Sequence, residues 1–596
     1  MSEYAAPLAE MRFALAEIAK LGEIAALPGC EAASADVVDA VLEQAGKFAC
    51  AVLSPLNRIG DVEHSRLENG VVRTPTGFKE AYRGFIDGGW AGVSASPEHG
   101  GQGLPLALAT AVFEMWNSAN LAFSLCPMLA IAAIELLAAQ GTDEQKRFYL
   151  GKLVSGEWTG TMNLTEPQAG SDLGALRTRA VKENGHYRIT GQKIFITWGE
   201  HDCAENIVHL VLARLPDAPA GSKGISLFLV PKFLVNDDGS LGARNDLRVV
   251  SLEHKLGIHA SPTCVMAYGD NGGATGYLVG VENRGLEGMF IMMNNARLHV
   301  GLEGVALAER AYQQARHYAR ERVQGQPVGA AEGERLPILH HPDVRRMLLT
   351  MRASTEAARA LTYYAAGAAD RARHEPDPAK RETAQARLDL LTPVVKAWCT
   401  DIGVEIASTG IQVHGGMGFI EETGAAQYLR DARITPIYEG TNGIQAADLV
   451  GRKLARDQGK ALRALLADMR DCATRLSAMK DADFTAIRTR LFQGIDAVDQ
   501  AGRALIDAYA KDSGQALAGS KPFLNLLGTV AAGWLLAEGA LAASRHLKAR
   551  ESDDDFLKAK IATARFFAEH NLALAPGLLP AVTGGATVMG FDLDVL

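Results

Sequence analysis

Ile207-Val208-His209-Leu210-Val211-Leu212 and Ile225-Ser226-Leu227-Phe228-Leu229-Val230, with the turn cluster Pro216-Asp217-Ala218-Pro219 between them, set the fold class of this chain. Short runs rich in β-branched and aromatic residues, bounded by turn formers, read as strands. Tyr187-Arg188-Ile189-Thr190 and Lys193-Ile194-Phe195-Ile196-Thr197 lie just upstream, and Asn184-Gly185 and Asn236-Asp237-Asp238-Gly239 supply further turns. From about Trp158 to Val281 the strands come in a block and do not alternate with helices. That predicts one all-β domain and argues against a parallel dinucleotide-binding fold.

On both sides of the block the apolar spacing is helical. Leu8, Met11, Phe13, Leu15 and Ile18, then Val112, Phe113 and Trp116, carry it before Gly156, and the glycine-dense loop Pro97 to Pro105 interrupts it. After Gly285 the clearest helix runs from Met289 to Arg322, with Arg310, Arg316, Arg320, Glu321 and Arg322 expected toward its outer face and end. A four-helix bundle is the economical arrangement to about Leu454. The final stretch is again helical in pattern and carries no catalytic constellation. The expected class is α+β, with an N-terminal helical domain at 1-157, a central β-barrel-like domain at 158-281, a C-terminal helical bundle at 282-452 and an additional helical domain at 453-596.

A chain of 596 residues, 48% hydrophobic and 22% charged, has ordinary globular composition and room for several structural units. Its net charge is -9, and it has no block of five consecutive basic residues, so general nucleic-acid binding is disfavoured. The N-terminal MSEYAAPLAEMRF lacks the basic and apolar regions of a signal peptide. Met128 to Ala139 is short for a bilayer span and carries Glu135. The expectation is a cytoplasmic protein with no membrane insertion. Seven scattered cysteines without a C-x-x-C pair suit reduced, buried thiols and no metal centre.

Three stretches carry chemistry. Leu164-Thr165-Glu166-Pro167-Gln168-Ala169-Gly170-Ser171-Asp172 offers hydroxyls and small residues that allow close backbone approach, although alone it is more often a turn. Phe195-Ile196-Thr197 ends a strand with a ring and a hydroxyl able to back a flat heterocycle, and is equally a core strand. Gln412-Val413-His414-Gly415-Gly416-Met417-Gly418-Phe419 is followed by Tyr428-Leu429-Arg430-Asp431-Ala432-Arg433 and by Ile437-Tyr438-Glu439-Gly440-Thr441-Asn442. The last of these displays one carboxylate on a turn between helices, where loops commonly carry reactive groups.

In this order the motifs resemble those of the acyl-CoA dehydrogenase family over roughly residues 40 to 450. The long C-terminal addition is similar to that of the larger bacterial subgroup containing 3-methylmercaptopropionyl-CoA and fatty acyl-CoA dehydrogenases. The resemblance implies FAD bound between the β-domain and the C-terminal bundle, an acyl-CoA substrate and an electron-transfer flavoprotein as acceptor; the family usually forms tetramers, and the added C-terminal bundle, by occupying the second interface, is expected to leave a homodimer. It implies that Met162, Leu164 and Thr165 meet the flavin ring, Ser171 its pyrophosphate or the thioester side, and Phe195 and Thr197 the ring's other edge. Arg322, Gln412 and Gly416 are implied at the ADP half of a neighbouring subunit's FAD, with Thr441 on the adenosine side. Asn294, Arg297, Tyr438 and Gly440 are implied on the substrate side.

Glu439 is the expected base, because desaturating an acyl thioester requires loss of the α-proton while hydride leaves the β-carbon. Enclosure beside Tyr438 would raise the carboxylate's pKa and its basicity, and the Glu439 N–H would help to hold the developing enolate. Relatives that carry the base on the preceding helix would have it where this chain has Ala296. The expected activity is α,β-desaturation of an acyl-CoA to the trans-2-enoyl-CoA. A flavin oxidase or monooxygenase on the same scaffold, and a nucleic-acid-binding relative of the DNA-alkylation-response type, are the alternatives.

Overall fold

The computed structural model describes residues 3–331, 333–549 and 554–595. The chain divides into two compact units, one of Met1–Gly46, Pro105–Ser118 and Arg297–Leu596, the other of Lys47–Leu104 and Ala119–Ala296. The helices Leu106–Gln140 and Gly285–Glu321 supply residues to both units. In the first of these helices Asn120 leaves helical geometry (φ -160°, ψ 90°). Its Oδ1 then accepts from the Phe123 N–H at 3.1 Å, so the helix restarts with a side-chain cap.

The second unit holds the strand block. Among its described residues eight strands form one sheet, in the order Leu247–Leu252, Thr263–Tyr268, His186–Thr197, Ala274–Val279, Ser226–Pro231, Asn206–Ala213 and Trp158–Asn163, with Arg179–Glu183 pairing to His186–Thr197. Asn206–Ala213 and Ser226–Pro231 are buried at every position. Cover on both faces explains their continuous apolar runs where a half-exposed strand would alternate. Trp158–Asn163 runs parallel to Asn206–Ala213, and the other pairs in this sheet are antiparallel. The core between them includes Ile189, Ile196, Val211, Phe228, Val230, Met266 and Tyr268.

A small hairpin, Arg66–Glu68 with Val71–Arg73, lies in the region expected to be helical throughout. Its signal is Asn69-Gly70, both at positive φ (51° and 78°), the pair that a tight two-residue hairpin turn needs.

In the first unit the long helices Pro342–His374 and Pro378–His414 pack with the Arg297-onward part of Gly285–Glu321, and the short helices Ala425–Ala432 and Asn442–Asp448 pack on Pro378–His414. The crossing of Gly285–Glu321 over Pro378–His414 is close. A Cβ on Gly304 would lie 2.3 Å from the Cys399 carbonyl oxygen, and one on Gly301 2.6 Å from Val395 Cγ1. Arg310, expected on the outer face, is instead buried, with its guanidinium 5.3 Å from the Tyr428 ring centroid. The aromatic partner accounts for the inward turn of a residue whose spacing alone suggests solvent.

The segment after residue 453 contributes Lys460–Leu476, Ala482–Lys511, Ser520–Ala549 and Asp554–His570. Ser520–Ala549 docks on Pro378–His414, where Trp398 Nε1 donates to Thr529 Oγ1 at 3.2 Å and Lys521 Nζ donates to Asp401. Among the described residues two helices, Leu106–Gln140 and Ser520–Ala549, are long and apolar enough to cross a membrane, and the first is far longer than the segment read from the sequence. Their most apolar windows are 89% and 83% buried inside the protein, as in core helices that pass the same test.

Candidate active site

The segment between Ala425–Ala432 and Asn442–Asp448 is a chain of turns. The N–H groups of Ile437 and Tyr438 both donate to the Ile434 carbonyl, and that of Asn442 donates to the Pro436 carbonyl at 2.9 Å. Thr441 Oγ1 caps the following helix by accepting from the Ile444 N–H at 3.2 Å. Between these fixed ends Glu439 is at φ 56° and Gly440 at φ 85°. A left-handed glutamate costs about 1–2 kcal/mol and persists only where its surroundings over-determine it, which is common at functional sites. Gln445 supplies part of that constraint, its Nε2 donating to the carbonyls of Glu439 and Gly440 at 3.3 and 3.2 Å.

Glu439 is half-buried and stands among charges. Burial raises its pKa from the ordinary carboxylate value, and the positive charges of Arg297 and Lys396 oppose that rise. Lys396 is fully buried, and desolvation pulls its ammonium down to about 8 against the raising influence of Glu439, Glu303 and Asp401. Lys396 Nζ donates to Asn442 Oδ1 at 2.9 Å, and Asn442 Nδ2 donates to Asp401 Oδ1 at 2.7 Å, Thr400 Oγ1 at 2.9 Å and the Ala397 carbonyl at 3.0 Å. A second carboxylate, Glu303, is 1% exposed, and its Oε2 accepts from the Tyr438 hydroxyl. Arg297, Tyr438, Glu439 and Gly440 therefore gather at one place, and a Cβ on Gly440 would stand 3.9 Å from Arg297 Nη2. Glu303, Lys396, Asn442 and Gln445 join them without having been singled out in the sequence. A lone charge in an apolar helical run, Glu303 in Val300 to Ala308 and Lys396 in Val394 to Trp398, is the signal that could have found two of them.

Gln412 and Gly416 are exposed around the end of Pro378–His414, and Arg322 is exposed beyond Gly285–Glu321, its Nη2 donating to Gln324 Oε1 at 3.4 Å. Asn294 is exposed on Gly285–Glu321, and Ala296, the alternative position for a base, is fully buried. In the second unit Met162 is buried near the end of Trp158–Asn163, Leu164, Thr165 and Thr197 are half-buried, and Ser171 is exposed.

Phe195 is the most unusual of that set. Lys193 faces Met266 and Ile196 faces Cys264, so Ile194 and Phe195 together oppose Val265 in a bulge. Phe195 is at φ 60° and 58% exposed, a bulky ring held out of the core at a conformational cost. The preceding loop is pinned from below by Lys193, whose Nζ donates to Glu166 Oε1 at 2.8 Å and to the Leu164 carbonyl at 3.0 Å. Glu166 accepts four more hydrogen bonds, from Gln168, the Arg177 and Thr178 N–H groups and Thr178 Oγ1. Burial alone would raise Glu166, and Lys193 with these donors outweighs it and holds the carboxyl at about 2.

In each unit by itself the exposed groups suit part of a flat, phosphate-bearing cofactor. Phe195 offers an exposed ring face, and a Cβ on Gly170, Gly415 or Gly416 would meet nothing of the chain within 4 Å, so these glycines leave open backbone that core packing does not require.

Four family models match the chain in sequence order. They are the acyl-CoA dehydrogenase N-terminal domain at 39–157, middle domain at 161–270 and C-terminal domain at 283–454, and an acetyl-CoA dehydrogenase C-terminal-like domain at 461–592. The chain is 51% identical over 570 residues to 3-methylmercaptopropionyl-CoA dehydrogenase of Ruegeria pomeroyi, covering 96% of each protein. This chain belongs to the acyl-CoA dehydrogenase family. It is an FAD-dependent oxidoreductase that acts on acyl-CoA. The broad-specificity linear acyl-CoA dehydrogenase FadE5 of Mycobacterium tuberculosis is 37% identical over 520 residues, 84% of each protein. The fold matches that of Caenorhabditis elegans ACDH-11, solved with C11-CoA, at a TM-score of 0.76 and 22% identity over 96% of this chain and 93% of the other. The segment after residue 453 has its own counterpart among the family models, as its likeness to the larger bacterial subgroup predicts.

Proposed function

We propose that Glu439 is the base of this dehydrogenase and that its substrate is a short acyl-CoA of the 3-methylmercaptopropionyl type. The observation that carries the first part is the arrangement at Glu439, a left-handed, half-buried carboxylate whose pKa burial raises while Arg297 and Lys396 keep ionisation accessible. A base near the working pH combines the correct protonation state with driving force for removing a weakly acidic α-proton. FAD, when bound, accepts the hydride from the β-carbon. The chain's own part is to orient the thioester, exclude water and take the α-proton onto the Glu439 carboxylate. Arg297 lies close enough to act electrostatically on that carboxylate, and the Glu439 N–H is suited to hold the developing enolate oxygen.

The substrate assignment rests on the relative at 51% identity, which is named for 3-methylmercaptopropionyl-CoA. A methylene or a sulfur changes preference by only about 1–3 kcal/mol, so the neighbouring straight chains belong in the same test. An electron-transfer flavoprotein as acceptor, a homodimer and a cytoplasmic location complete the proposal. The test is anaerobic mixing of the purified holoenzyme with 3-methylmercaptopropionyl-CoA and straight-chain acyl-CoAs, following the flavin band at roughly 450 nm. Bleaching with one or more of them is expected, fastest with the sulfur-containing thioester. No bleaching with any acyl-CoA sinks the dehydrogenase mechanism, bleaching fastest with another chain length sinks the substrate assignment, and rapid reoxidation by oxygen alone favours the oxidase alternative.

A further inference from the structure

Glu303 has no place in the base mechanism, yet its surroundings tie it to that mechanism. It sits between Gly301 and Gly304, where the missing side chains let its helix press against Val395, Cys399 and Gly403. That close crossing leaves its carboxyl 1% exposed, beside the fully buried Lys396, with the Tyr438 hydroxyl donating to its Oε2. Tyr438 is the residue next to Glu439, so one hydrogen bond links the helix crossing to the base's turn.

We propose that Glu303 is a positioning residue for the base: in its acid form it anchors Tyr438 by the hydroxyl, fixes the Glu439 turn through that neighbour, and leaves a single negative charge facing the substrate. This rests on Glu439 being the base. The groups that face Glu303 are Tyr438 and Glu439 from the turn and Lys396 from Pro378–His414, with Arg297 and Asp401 acting on the same cluster through Glu439 and Lys396. Glu303 is nearly dry, and the cation that acts on it, Lys396, is shared with Glu439. Glu439 is half-exposed and has Arg297 as well as Lys396, so it ionises first. Burial pushes Glu303 up to about 8; the Tyr438 hydrogen bond and Lys396 pull against that, and Glu439 adds to it. Once Glu303 loses its proton, a second anion stands beside the forming enolate and proton abstraction slows.

The experiment is the rate of flavin reduction by saturating acyl-CoA in the holoenzyme, followed across the alkaline range in wild type, Glu303→Gln, Tyr438→Phe and Glu439→Gln. Wild type should lose rate above pH about 8. The amide at position 303 still accepts from Tyr438 but cannot ionise. In Glu303→Gln the rate should therefore no longer fall on the alkaline side, with substrate affinity unchanged. Tyr438→Phe removes a bond that favours ionised Glu303, so its alkaline fall should move to higher pH, and this variant carries the test if Glu303→Gln does not fold. An alkaline limb that stays in place in the variants, with Glu439→Gln inactive, overturns the proposal alone. Near-normal reduction by Glu439→Gln overturns the base reading and the proposal with it.

Discussion

Lys396 Nζ donates to Asn442 Oδ1 at 2.9 Å, which fixes a buried ammonium beside the two carboxylates, Glu303 and Glu439, that its charge affects. Asn442 opens the helix that follows the Glu439 turn and is 6% exposed, so the bond ties the turn to Pro378–His414. Replacing Asn442 with alanine leaves Lys396, Asp401, Thr400 and the Ala397 carbonyl each short of a partner. An unpaired buried polar group costs about 1–3 kcal/mol, and more if it is charged. Asn442→Ala should lower the thermal midpoint by several degrees and slow flavin reduction at least tenfold while the variant still takes up FAD. A variant with wild-type stability and rate would show that the bond does not hold the turn.

Lys396→Met tests the same ammonium through pH. Lys396 and Arg297 oppose the burial that raises Glu439, so removing one positive charge lets the carboxyl rise further. As the proposed base, Glu439 would act only when ionised, so activity on the acid side should fall as it takes up a proton. The acid limb of kcat/KM should therefore shift to higher pH in Lys396→Met. An unmoved or downward-shifted acid limb would contradict the charge arrangement.

The second unit offers a stability prediction. Glu166 has its pKa depressed from 4.5 to about 2, so it binds a proton more weakly in the folded state than in the unfolded chain. The stability linked to that shift is present above the unfolded value of 4.5 and is lost as pH falls toward 2. Glu166→Gln should remove it at neutral pH and leave the Lys193 ammonium buried without its carboxylate, a cost of about 3–5 kcal/mol for a broken buried pair. Thermal melts at neutral pH and near pH 3 should show a large gap between wild type and variant that narrows on the acid side. Because the same pin supports the Leu164 carbonyl, FAD should also be held more weakly.

What was legible in the sequence divides by the range of the forces involved. The strand block, the helices and Glu439 came from periodicity, turn formers and ordered motifs, all of which act over a few neighbouring residues. Arg310 was misplaced because its partner, Tyr428, is distant in the chain, and spacing cannot register a cation over a remote ring. Glu303 and Lys396 escaped for a related reason. Each is one charge in an apolar run, and only the crossing at Gly301, Gly304 and Gly403 brings the two together. The left-handed φ of Phe195 and Glu439 is a similar case: both are strained at positions where glycine would be ordinary, and no local pattern announces a strain that tertiary packing imposes.

Two of the contacts between the C-terminal addition and Pro378–His414 differ in weight. Lys521 and Asp401 form an ion pair whose side chains are 35% and 37% exposed, which places it among pairs worth about 0–1 kcal/mol. Gly528 packs so closely on Trp398 that a Cβ there would lie 2.5 Å from the ring's Cγ. The ring is 4% exposed and cannot yield without moving Pro378–His414, the helix that carries Lys396 and the partners of Asn442. Apolar fit should therefore govern this contact. Lys521→Met should change the thermal midpoint by no more than a degree or two and leave flavin reduction intact. Gly528→Val should destabilise by about 1–3 kcal/mol or more through overpacking, and should slow flavin reduction because the displaced helix carries Lys396, which acts on Glu439. Equal effects of the two substitutions, or a larger effect of Lys521→Met, would mean that the ion pair joins the added helices to the catalytic bundle.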